Sequence, residues 1–112
     1  MKDDSFRDFV LDQLSGLDGI DSRAMFGGHG LYRHGIFFGI IYKGRLFFKV
    51  DDRSRPAYLE RKMKPFWPKP QNKMPTYYEV PVEILENRED LAAWAATAAS
   101  VETPEKPAKR RR

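Results

Sequence analysis

The stretch that most constrains this chain is residues 36–50. It reads Ile36-Phe37-Phe38-Gly39-Ile40-Ile41-Tyr42, then Lys43-Gly44, then Arg45-Leu46-Phe47-Phe48-Lys49-Val50. β-branched and aromatic residues fill both runs and a two-residue turn signal separates them, which predicts an antiparallel hairpin. Both runs are too continuously apolar for a sheet with one wet face, so both faces are expected to be at least partly covered. The first run, seven residues including a glycine, is also the longest apolar stretch, far short of the roughly 20 that span a bilayer.

Helical signals lie on either side of this hairpin. Ser5 with Asp8 resembles a capping box, and Phe6, Phe9, Val10, Leu14 and Leu17 follow at spacings of three and four. Ser15-Gly16 and Asp18-Gly19 stop that helix. A first strand is expected over 22–26, followed by the glycine cluster 27–30 and a short run 31–33. Ser54, with Pro56 close behind, caps a short helix whose inner face would be Ala57, Tyr58 and Leu59. Prolines 65, 68, 70 and 75 make 64–75 the longest irregular stretch. Strand character returns at 76–80, with Tyr77 and Glu79 on one face and Tyr78 on the other. Asn87 and Asp90 start an alanine-rich helix, with Leu91, Trp94, Ala95 and Ala98 on one stripe. The order predicts one α+β domain of 112 residues, with an antiparallel sheet of about five strands and three helices.

Charge is unevenly spread. Of 20 Lys and Arg and 16 Asp and Glu, five and two lie in 102–112, so residues 1–101 hold 15 and 14, a net charge of only +1. The folded unit is expected to be 1–101, and 102–112 a disordered basic tail. Lys106, Lys109, Arg110, Arg111 and Arg112 would then be an electrostatic arm for phosphates or a solubilising terminus. Lys43, Arg45 and Lys49 beside the aromatics of the hairpin and Tyr32 make a base-stacking platform conceivable, although no RNP-like pattern is present.

Catalytic and metal chemistry find little purchase. There are no cysteines, which excludes disulfides, a thiol nucleophile and Cys-ligated zinc. His29 and His34 are the only histidines, lack nearby carboxylates and read as exposed turn residues. Gly28-His29-Gly30-Leu31-Tyr32-Arg33 begins like a dinucleotide fingerprint, but Arg stands at the third glycine position and a strand follows instead of a helix. Its glycines instead suit positive φ or close backbone approach. Glu79 is the one carboxylate with an acid–base reading, and pairing with a cation is its simpler role. No cofactor is expected. The N-terminus has no apolar h-region, so no secretory signal is expected, and a cytoplasmic setting follows.

Several segments together resemble a known family. These are Arg23-Ala24-Met25-Phe26-Gly27-Gly28-His29-Gly30-Leu31-Tyr32, then Gly35 to Ile41, Leu46 to Lys49 with Val50 and Asp51, Tyr77-Tyr78-Glu79-Val80-Pro81, and the helix of Trp94. In order, from about Phe6 to Ala99, they look like the N-terminal domain of the TfoX/Sxy competence regulators. The resemblance implies a secretion-chaperone-like α+β fold, a bacterial cytoplasmic setting and a non-enzymatic role in switching on DNA-uptake genes. It also implies a protein partner, the cyclic-AMP receptor protein or the RNA polymerase machinery, and DNA nearby. Full-length regulators carry a second, helical domain, whereas this chain closes on its basic tail, so a stand-alone regulatory or protein-binding module is expected. Phe66 and Trp67 in the proline stretch are the candidate partner contacts, since aromatic anchors dominate interfaces. An unpaired sheet edge would also permit a homodimer.

Overall fold

The computed structural model describes residues 2–25, 27–66 and 76–101. Nine elements follow one another: helix α1 (Lys2–Gln13), strands β1 (Ile20–Met25), β2 (Gly28–Arg33), β3 (Ile36–Tyr42) and β4 (Arg45–Lys49), helix α2 (Arg55–Glu60), strand β5 (Tyr77–Glu79), and helices α3 (Val82–Leu85) and α4 (Arg88–Ala99). The strands form one antiparallel sheet in the order β1-β2-β3-β4-β5, as the meander reading expects. His34-Gly35 and Lys43-Gly44 close two of its hairpins, all four residues at positive φ, a backbone that matches the right-handed twist of the strands.

One face of the sheet carries the core. Leu31, Ile41, Leu46, Phe48 and Tyr78 project from the strands against Val10 of α1, Leu14 just after it, and Leu91, Ala95 and Ala98 of α4. Each fully buried Leu, Ile or Phe contributes about 1.5–3 kcal/mol. Polar ties fix α1 against the last two helices. Buried Gln13 donates Nε2–H to the Leu85 carbonyl at 3.0 Å. Arg88 donates to the Asp12 carbonyl at 2.7 Å and pairs with its carboxylate at 3.1 Å, which satisfies an acceptor at the end of α1.

Four helices stand where three were expected. The extra one, α3, is a single turn started by buried Pro81, too short for a periodic pattern to announce it. Ser5 lies inside α1 and does not cap it, and Phe9, 42% exposed, falls off the buried stripe. The first strand starts two residues before 22, and Phe26 lies outside the described residues. The glycine cluster is strand from Gly28 onward, with only Gly27 in the turn. Tyr58 faces the core as expected, but Leu59 is 51% exposed. Asn87 caps α4 by accepting from the Asp90 backbone N–H at 2.9 Å, as its spacing predicts.

Candidate interaction face of the sheet

The second face of the sheet is built by a β-bulge. Leu31 pairs with Gly39 but Tyr32 pairs with Phe37, so Phe38 is the extra residue on β3. Strict alternation would put Phe37 on the core side with Gly39 and Ile41. The bulge reverses this: Phe38 is fully buried against Phe48, with ring centroids 5.6 Å apart, and Phe37 turns to the opposite face beside Tyr32.

A row of side chains results. The Arg23 guanidinium lies 4.9 Å from the Tyr32 ring, Tyr32 lies 5.3 Å from Phe37, and Phe37 lies 5.7 Å from Tyr77. All three rings are half-buried. Further along the same face, Phe66 meets Phe47 edge-on at 4.8 Å and Tyr42 at 5.7 Å, and Lys43 lies over Tyr42 at 5.5 Å. Both faces of the sheet are therefore partly covered, one by helices and the other by Phe66. Burial, together with the neighbouring Tyr32 hydroxyl, pushes the Tyr77 phenol up to about 12. Tyr77 thus stays protonated and neutral at neutral pH, and the Arg23 guanidinium supplies the positive charge at the other end of the row.

Two bare glycines let this face form. A Cβ on Gly30 would stand 2.6 Å from Met25 Sδ and 2.9 Å from the Phe37 ring, so Met25 and Phe37 close over the empty position. A Cβ on Gly28 would stand 2.1 Å from the Ile41 carbonyl oxygen, where only a bare backbone fits. Close backbone approach, one of the two glycine roles expected from the sequence, is found at Gly28, whereas at Gly30 it is side chains that close in.

The structure thus gathers Arg23, Met25, Gly28, Gly30, Tyr32, Tyr77 and Glu79 on one face, with Lys49 at the same end of β4 as Tyr77, its pairing partner. It sends others elsewhere. Tyr78 lies in the core, Pro81 starts α3, and Trp94 packs edge-on against Tyr58 at 4.8 Å, where Arg61 stacks over it. Asp51, read from the sequence only as part of a motif, caps the turn into α2 by accepting from the Arg53 and Ser54 backbone N–H groups. The first of its influences, the Ser54 N–H bond, holds its carboxyl below the usual range. Ser54 has no capping bond into α2 of its own.

Phe66 is half-buried through its contacts with the sheet, while Trp67, Lys106, Lys109 and Arg110 to Arg112 lie outside the described residues. Of the stacking candidates, Phe38 and Phe48 are core and Phe47 is buried beneath Phe66, which leaves Tyr32, Phe37 and Tyr42 half-buried on the open face.

The titratable groups take structural partners. Glu79 accepts both oxygens' worth of bonds from Arg45, at 2.9 and 3.2 Å. Glu83 pairs with Arg61 at 3.3 Å. These two pairs line a groove of about 630 Å³ between the Lys43-Gly44 turn, the end of α2 and α3. Contrary to expectation, His34 does have a carboxylate beside it, with its Nε2 3.2 Å from Asp18 Oδ2, but it is an exposed turn residue, as expected. His29 is not: it is only 8% exposed on β2, under α1, with Arg7 Nη1 3.5 Å from its Nε2. The glycines around it suggest a turn, but Gly28–Arg33 is a strand and holds its side chain inside. Among the described residues, no three His, Cys, Asp or Glu side chains cluster as a metal site, and no helix is long and apolar enough to cross a membrane.

Fold and face together define a small α+β module with helices on one side of a five-stranded meander and an aromatic row on the other. The chain belongs to the TfoX N-terminal domain family, whose model matches residues 12–101. The matched span holds the whole sheet, α2, α3 and α4, and begins within α1. No curated protein matches the chain significantly.

Proposed function

We propose that this chain is a non-enzymatic regulatory module of a bacterial cytoplasm that acts by binding another protein, with competence-type transcription as its context. Family membership supports a competence-regulator-like module. The observation that carries the binding reading is the contiguous row Arg23, Tyr32, Phe37 and Tyr77 on the sheet face turned away from the helices. Aromatic rings and arginine are the side chains that dominate protein interfaces: the rings bury large areas at small entropic cost, and the guanidinium adds a planar, multiply donating cation. Phe66 would extend that surface, and the partner implied by the family is the cyclic-AMP receptor protein or the polymerase machinery.

A second reading is direct contact with nucleic acid. It is favoured by the cations placed over rings on this same face, Arg23 on Tyr32 and Lys43 on Tyr42. The five cations of 102–112 would add phosphate contacts. A titration of the full chain against promoter DNA, with and without the receptor protein and over a salt series, separates the two. Protein recognition predicts association only when the receptor is present. Direct binding predicts affinity for DNA alone that falls steeply with salt and drops when Lys106, Lys109 and Arg110 to Arg112 are changed to Gln.

A further inference from the structure

The two edges of the sheet differ. The outer edge of β5 is closed by the chain itself: Pro65 bridges Tyr78, the Phe66 N–H donates to the Tyr77 carbonyl, and the Glu79 N–H donates to the Lys64 carbonyl, both at 2.9 Å. β1 is the other edge, six residues long with no proline, lysine or bulge to blunt it, and its two charged side chains, Asp21 and Arg23, are of opposite sign. Its hydrogen-bond phase can be read. The Gly19 carbonyl accepts from His34, so the odd-numbered residues address β2. The Ser22 N–H is held at 2.9 Å by the Asp21 carboxylate beside it, as expected for a group facing away from β2. Ile20, Ser22 and Ala24 therefore turn their backbone groups outward.

We propose that a second copy of this chain adds to β1, antiparallel, about a two-fold axis through Ser22. In that register Ile20 faces Ala24 of the second copy and Ser22 faces Ser22, each pair of outward residues exchanging its N–H···O=C bonds. Asp21 and Arg23, whose side chains are 64% and 66% exposed and only loosely paired with each other at 3.9 Å, come opposite Arg23 and Asp21 of the second copy. The sequence selects this register. Moving the axis to Asp21 sets the two aspartates face to face, and moving it to Arg23 does the same with the arginines, both unfavourable cross-strand pairs. The Asp21 carboxylate that caps the Ser22 N–H in the single chain is released to its new cation. The stacked Arg23 and Tyr32 lie at this seam, so the two aromatic rows join into one surface across the dimer.

Sedimentation velocity of the full chain over a dilution series tests this. The expected result is a concentration-dependent dimer. Ser22→Pro removes an outward N–H without touching the β1–β2 ladder, and its dimer Kd should rise about tenfold or more. Asp21→Arg and Arg23→Asp should each be monomeric alone, and an equal mixture of the two should dimerise again, because opposite charges then meet at both positions. A wild-type chain that stays monomeric at every concentration overturns the proposal. So does a dimer that Ser22→Pro leaves unchanged, or charge variants that do not recover on mixing. Should Ser22→Pro lose its fold by circular dichroism, the mixing experiment decides alone.

Discussion

Asp51 and Ser54 cap each other. The Asp51 carboxylate accepts the Ser54 backbone N–H at 3.0 Å, and the Ser54 hydroxyl oxygen accepts the Asp51 backbone N–H at the same distance. The pair has the reciprocity of a capping box with the acid placed first. It fixes the exit of β4 into α2, and so the position from which Tyr58 reaches Tyr78 and Trp94 in the core. Asp51→Ala is expected to cost about 1 kcal/mol, the usual magnitude for a lost cap, read as a lower midpoint in urea unfolding with an unchanged slope.

The same carboxylate predicts a pH dependence. Its folded-state pKa lies below the ordinary 3.8, chiefly through the Ser54 N–H bond. Its contribution is therefore complete above the unfolded value and is lost as pH falls through the folded one. As pH falls below about 4 the wild-type chain should lose more stability than Asp51→Asn, which cannot titrate. Equal acid sensitivity of the two would contradict the cap.

The two close-approach glycines should respond differently to one added methyl group. At Gly28 the obstacle is a backbone carbonyl, which cannot move without its strand, so Gly28→Ala should cost about 3 kcal/mol, the top of the range for overpacking. At Gly30 one obstacle is the end of a flexible methionine, and about 1 kcal/mol is expected. Met25→Ala should recover part of the loss in Gly30→Ala and none in Gly28→Ala, a coupling that a double-mutant cycle measures.

The bulge separates two adjacent phenylalanines by function. Phe38→Ala empties a fully buried site and should cost about 3–5 kcal/mol. Phe37→Ala removes a half-buried ring from the open face and should cost clearly less, which thermal unfolding of the two variants compares directly. Similar losses would place both rings in the core.

Much of the architecture was legible because short-range physics carries it. The hairpin at Lys43-Gly44 follows from two apolar runs around a turn pair, and α4 from Asn87, Asp90 and a stripe of alanines and Leu91. Alternation placed Tyr77 and Glu79 opposite Tyr78. What escaped depends on a single displaced residue or a long-range partner. The bulge at Phe38 inverts the faces of its neighbours, and a period-two reading has no means of detecting the inserted residue. Asp51 acts through backbone groups two and three residues on, so Ser54 looked like the cap. His29 is buried by α1, which arrives from a distant part of the sequence. The bare position at Gly30 makes physical sense only once Met25 and Phe37 are seen closing over it.

The most direct test of the account is a binding titration of the receptor protein on promoter DNA at physiological salt, comparing the full-length wild-type chain with its Tyr32→Ala and Phe37→Ala variants. The account predicts that wild type joins the receptor complex, shows no affinity for the DNA alone, and loses about thirtyfold in affinity when either ring is removed from a chain that stays folded. Binding to DNA without the receptor, or association with the receptor that both variants retain in full, would contradict it.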